Sequence, residues 1–225
     1  MNEHPILFNG EMVRAILEGR KTQTRRVWRP QPNVPYRRAE VVPDSGKDGW
    51  ALRWYGEGGH AYRWDADCPY GTPGDRLWVR ETHGYPDAHT KGQSELWAEV
   101  YKAIWYRADD KYGSAMHHGP LRSLHWNHHW RPSIHMPRWA SRISLKVTGV
   151  RVERVQDITE DDAMAEGVNG GCLNCGEPDP CGCNAPMPDH ADSFAGLWNK
   201  INESRGFGWL ENPWVWVVEF EREDT

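Results

Sequence analysis

Two stretches of strict apolar alternation restrict this chain more than anything else in it. In residues 143–152, Ile143, Leu145 and Val147 alternate as on a strand. The apolar set then changes parity to Val150 and Val152, with Gly149 at the switch. A β-bulge at Gly149 accounts for both facts, because one extra residue reverses the facing of all that follow. The second stretch is 214–221. There Trp214, Trp216, Val218 and Phe220 face one way, and Val215, Val217 and Glu219 the other. A period of two is the mark of a sheet, so the expected core is mostly β.

Helices come as short pieces between strand signals. Residues 6–8 read as a strand, after which Asn9 caps a helix whose apolar stripe is Met12, Val13, Ile16 and Leu17. Gly19 is placed to stop it. Thr159 followed by Asp162 is a capping-box pattern that opens a short helix to Glu166. A further helix is expected over 193–203, with Phe194, Leu197, Trp198 and Ile201 on one face. Pro73, Gly74 and Asp75 signal a turn into a strand over 76–81. Residues 29–74 are rich in Pro, Gly and Trp and suggest loops with one hairpin over 50–64. A short hairpin is expected near 97–106, followed by a His/Trp-rich stretch.

The 225 residues suit one elaborated domain, and a 38% hydrophobic content suffices for a core. Fourteen tryptophans exceed what that core needs, so some are expected to line a groove where flat rings stack on a flat ligand. The net charge of -5 excludes a generally basic nucleic-acid coat. Charge is uneven, however. Residues 20–38 hold Arg20, Lys21, Arg25, Arg26, Arg29, Arg37 and Arg38 and no acid. Residues 153–166 hold Glu153, Asp157, Glu160, Asp161, Asp162 and Glu166 against one arginine. A local basic face is compatible with the acidic total. No apolar run reaches membrane-span length, and residues 1–5 lack the features of a signal peptide, so a cytoplasmic protein is expected.

Cys172-x-x-Cys175 and Cys181-x-Cys183 form the clearest local motif. Two close thiolate pairs on a Gly/Pro-rich loop supply the four soft ligands of tetrahedral zinc. A closed four-cysteine set leaves no open position, so the zinc would be structural. Cys68 stands apart and reads as a small buried residue. The histidines 117, 118, 125, 128 and 129 have no carboxylate nearby and read as surface or packing residues rather than metal ligands.

The string GRKTQTRR at 19–26 places a lysine and a hydroxyl three residues apart just after a helix end. A lysine desolvated beside arginines becomes a usable base, and Thr24 could then act as a nucleophile. The same string also suits plain phosphate contacts, through Arg25 and Arg26.

GRKTQTRR, the strand PGDRLWVRE, the run MPRWASRISLKVTGVRVERVQDITEDDAMAEGV and the closing NPWVWVVEF together resemble the ASCH group of PUA-like domains. They are most similar to the larger members that phages and prophages encode. The resemblance covers residues 5–30, 68–83, 131–168 and 193–221. It implies an α+β, mostly β fold: a PUA-like small β-barrel with short capping helices. Long rim inserts would fall at about 30–66, 84–130 and 168–192 of a single domain spanning 1–225, the last holding the zinc loop.

One branch of that group consists of small bacterial amidohydrolases that deacetylate 4-acetylcytidine. Its lysine base and threonine nucleophile lie in a KTxT string, which corresponds to Lys21 and Thr24 here. Its glutamate proton donor lies in a stretch similar to EDDAMAEG, which corresponds to Glu166. The resemblance therefore implies a hydrolase acting on a modified nucleobase such as an acylated cytidine, with RNA or a modified nucleoside as partner. Other members are ribonucleases or non-catalytic RNA binders, and those readings stand beside it. The inserts distinguish this chain from the small enzymes and could reshape the pocket.

Overall fold

The computed structural model describes residues 1–31, 38–43, 50–55, 61–64, 68–84, 104–109, 130–170 and 189–223. Its centre is a five-stranded mixed sheet. The strands are β1 (Glu3–Leu7), β2 (Gln23–Val27), β6 (Arg76–Arg80), β9 (Ser144–Arg154) and β10 (Trp214–Glu223), in the spatial order β1-β6-β9-β10-β2. β1 runs parallel to β6, and the other pairs are antiparallel. A second sheet joins β3 (Arg38–Pro43), β4 (Trp50–Tyr55) and β5 (Ala61–Trp64), so the hairpin expected over 50–64 is present with one more strand beside it. β7 (His83–Gly84) pairs with β8 (Trp105–Tyr106). The hairpin expected near 97–106 therefore has a different partner at its far end, and residues 97–103 lie outside the described residues.

The architecture is mixed, with a dominant sheet and three short α-helices among the described residues: α1 (Gly10–Leu17), α2 (Glu160–Ala165) and α3 (His190–Asn202). No helix among them is long and apolar enough to cross a membrane.

β10 explains the two-sided pattern of its sequence. It lies between β9 and β2 and is buried on both faces. Trp214, Trp216, Val218 and Phe220 join one core with Phe8, Val13, Ile16 and Leu145. Val215 and Val217 join a second, with Phe194 and Trp198 of α3 and Ala163 of α2. The sheet is thus sandwiched between α1 on one side and α2 and α3 on the other. The register with β9 shifts where Glu219 faces Gly149 and Phe220 faces Val147. Thr148 is the extra residue, so the bulge stands beside the glycine that signals it. A Cβ on Gly149 would lie 2.5 Å from Glu219 Oε2, so a side chain there would displace the Glu219 carboxylate.

The helices are capped as their sequences require. Asn9 Oδ1 accepts from the Met12 N–H at 2.8 Å, and Thr159 Oγ1 accepts from the Asp162 N–H at 3.1 Å. After α1, Gly19 adopts φ 75°, the left-handed turn that a glycine makes without strain. The Arg20 and Lys21 N–H groups then both donate to the Ala15 carbonyl. The chain doubles back, and Lys21 enters the base of the helix instead of continuing outward.

Candidate functional site

Lys21 and Glu166 meet because two helix ends meet. Glu166 is the C-cap of α2, and it forms an antiparallel bridge with Lys21 at the foot of α1. The Thr22 N–H donates to the Ala165 carbonyl at 2.8 Å and reinforces the junction. Gly167 follows at φ 77°, so close that a Cβ there would lie 2.9 Å from both Lys21 Cβ and Ala15 Cβ.

Lys21 is 2% exposed and Glu166 6%. Lys21 Nζ donates to Glu166 Oε2 at 2.6 Å, to the Glu166 carbonyl at 2.8 Å and to the Gln23 carbonyl at 2.7 Å. Burial is the main force on the amine and pushes its pKa below the ordinary lysine value; Glu166 pulls the other way, and Arg26 and Arg25 add smaller depressions. Both causes named from the sequence, desolvation and the neighbouring arginines, act in this direction, and desolvation leads. The other carboxylate oxygen, Glu166 Oε1, is buried without a hydrogen-bond partner among the described residues, 3.6 Å from Arg25 Nη1. A buried, unsatisfied acceptor is uncommon and marks a place where a ligand group can gain a bond.

Thr24 is 2% exposed on β2. It lines, together with Glu166, a cavity of about 550 Å³ between β2, the end of β1 and α3. Tyr70, Phe194 and Trp198 supply aromatic wall. The volume lies within the range of small-molecule sites. Glu166 also borders a second cavity of about 460 Å³ on the α1 side. Thr24 and Glu166 thus share one cavity wall, and Lys21, bonded to Glu166, is not part of that wall. Among the described tryptophans, Trp28, Trp214 and Trp216 serve the first core, whereas Trp198 belongs to the second and also borders this cavity.

Arg25 and Arg26 part company. The Arg25 side chain is wholly covered. Its Nη groups donate to Gln23 Oε1, to Glu153 and, at 3.0 Å, to Asp162 Oδ2. Arg151 completes the cluster, pairing with Glu153, Asp162 and Glu219. Glu153 near the end of β9 and Asp162 of α2 therefore neutralise Arg25, which is an internal cation and not part of an open basic face. Around Asp162, burial opposes ionisation, yet the hydrogen bond from Gln23 and the charges of Arg25 and Arg151 prevail and hold the carboxyl at about 2. Arg26 lies nearer the surface, with its guanidinium 5.1 Å from the Phe8 ring centroid and Nη2 donating to the Leu7 carbonyl at 2.5 Å.

The acidic partners Glu153 and Asp162, Gln23 and the cavity-lining Arg29 and Arg205 escaped the sequence reading as site residues. The one available signal was that the basic and acidic runs are complementary. Cys172, Cys175, Cys181 and Cys183, and the five histidines at 117–129, lie outside the described residues. Among the described residues no group of three or more potential ligands could hold a metal. Cys68 is partly buried against the main core, and burial pushes its thiol up to about 12, in keeping with a packing role.

No protein-family model matches this chain, and neither a curated protein nor a solved structure shows significant similarity to it.

Proposed function

We propose that the chain is a hydrolase that removes an acyl group from the exocyclic nitrogen of a nucleobase, with Lys21, Thr24 and Glu166 as its catalytic residues. One observation carries this reading: a desolvated Lys21–Glu166 pair, 2.6 Å apart, adjoins a cavity whose wall contains Thr24 and Glu166. Burial favours the neutral amine, which can take the proton of Thr24 Oγ1 as the oxygen attacks the acyl carbon. Glu166 delivers its proton to the departing nitrogen as the C–N bond breaks. Water then attacks the acyl-threonine ester. Its oxygen joins the acyl carbon, its proton goes to Glu166, and Thr24 recovers its own proton from Lys21. Tyr70 and Trp198 would flank the base.

The sheet is proposed to be the PUA-like barrel. Its two edge strands approach each other where Arg26 of β2 bonds the carbonyl of Leu7 at the end of β1, which supports closure. The test is incubation with 4-acetylcytidine followed by mass spectrometry. Loss of the acetyl group, abolished by Thr24→Ala, is expected.

A second reading rests on a different detail. Lys21 Nζ already faces three acceptors, the full complement of an ammonium group. A non-catalytic modified-base reader would keep the lysine charged in this way. Saturable binding of 4-acetylcytidine without chemical change is the outcome that would favour it.

A further inference from the structure

Among the described residues, four arginines and one carboxylate, Glu166, line the larger cavity. Arg25 is taken up by Glu153 and Asp162, and Arg26 bonds the Leu7 carbonyl. Arg29 and Arg205 remain. Both are exposed, and neither has an acidic partner among the described residues. They come from different elements. Arg29 follows β2, whereas Arg205 ends the 3-10 turn (Glu203–Arg205) that extends α3.

A specific contact brings them to one rim. Gly206, at φ 77°, turns the chain after Arg205, and the Phe207 N–H donates to the Asn202 carbonyl at 3.2 Å. The Arg29 guanidinium then lies 4.7 Å from the Phe207 ring centroid. Stacking on that ring leaves the guanidinium edge, with its N–H groups, free to donate. Two guanidinium groups at the mouth of a cavity with aromatic walls form an anion subsite beside a base-sized space.

We propose that Arg29 and Arg205 bind the phosphate of the substrate, so that the site takes a nucleotide rather than a bare nucleoside. This rests on the nucleobase reading of the cavity and adds to it the substrate class. The phosphate comes from either a mononucleotide or an RNA strand, and the chemistry at the rim is the same. The chain's net charge of -5 makes the rim a local feature, so attraction should be short-ranged and sensitive to salt.

The experiment measures equilibrium binding of three probes: 4-acetylcytidine, its 5′-monophosphate and a trinucleotide with the same central base. The phosphorylated probes should bind about tenfold tighter than the nucleoside at low salt. That ratio should fall toward one in R29Q/R205Q, and also in the unaltered protein at high salt, which needs no variant to fold. Preference for both phosphorylated probes points to the mononucleotide as sufficient, and preference for the trinucleotide alone to the polymer; either supports the subsite. Equal affinity for all three probes, or a preference that survives R29Q/R205Q, overturns the phosphate assignment while leaving the nucleobase reading in place. Failure of every probe to bind overturns both.

Discussion

Lys21 Nζ stands 2.6 Å from Glu166 Oε2, with both side chains almost wholly out of water. Such a pair costs desolvation when it forms, and removing one member strands the other. Lys21→Met or Glu166→Met alone should therefore lower stability, by about 3–5 kcal/mol for the lysine change. The double change Lys21→Met/Glu166→Met should recover much of that loss. Urea unfolding of the three variants checks it, and a double variant as unstable as the sum of the singles would show that the two residues are not coupled.

Thr24→Ala removes one hydroxyl from the cavity wall. Turnover of an acylated nucleoside should drop by about 10³-fold or more, while ligand affinity stays within a few fold, because the nucleophile acts in the chemical step. Single-turnover kinetics together with binding separate the two effects. Residual turnover close to that of the unaltered chain would remove Thr24 from the mechanism.

Turnover should rise with pH. Burial lowers the Lys21 pKa below that of an ordinary lysine, so the neutral amine accumulates as pH climbs toward that lowered value. A rate that is flat across the neutral and mildly alkaline range, with ligand saturating throughout, would argue against Lys21 as the base.

Acid should loosen the fold at the Arg25 cluster. The Asp162 carboxyl is held at about 2, against an ordinary value of 3.8. A depressed carboxylate stabilises the fold above its unfolded value, and that contribution fades as pH falls from 3.8 to about 2. It amounts to about 2 kcal/mol. Asp162→Asn should flatten this part of the stability curve, as read from denaturant midpoints between pH 5 and pH 2.

Purified protein should carry one structural zinc on Cys172, Cys175, Cys181 and Cys183, as their paired spacing implies. The described residues that flank this motif are neighbours in space: a Cβ on Gly170 would lie 3.0 Å from the His190 ring. Elemental analysis decides the stoichiometry. Metal-free protein whose thermal stability ignores chelators would exclude the site.

Local rules carried the sequence reading a long way. Asn9, Thr159, Gly19 and the parity switch at Gly149 each have a short-range cause, and each took the predicted place. The alternation of Trp214 to Phe220 likewise survives in two separate cores. What spacing could not convey was the meeting of Lys21 with Glu166, which depends on two helix ends converging from distant parts of the chain; only the family resemblance pointed to it. Arg25 shows the same limit. A polar strand reads as surface until Glu153 and Asp162 are laid over it, and the two charge runs were visible singly but not as mates.

The position of β10 has a bearing on biosynthesis. Among the described residues β2 pairs with no strand but β10, which is made almost a whole chain length later. Until that strand emerges from the ribosome, the strand carrying Thr24 and Arg25 has no ladder to join, and the second core lacks Val215 and Val217. Ligand binding by stalled nascent chains of increasing length should therefore switch on abruptly, once the last strand is free to insert. A chain released before β10 is made would thus lack the proposed site, because β2 and the second core would both be incomplete.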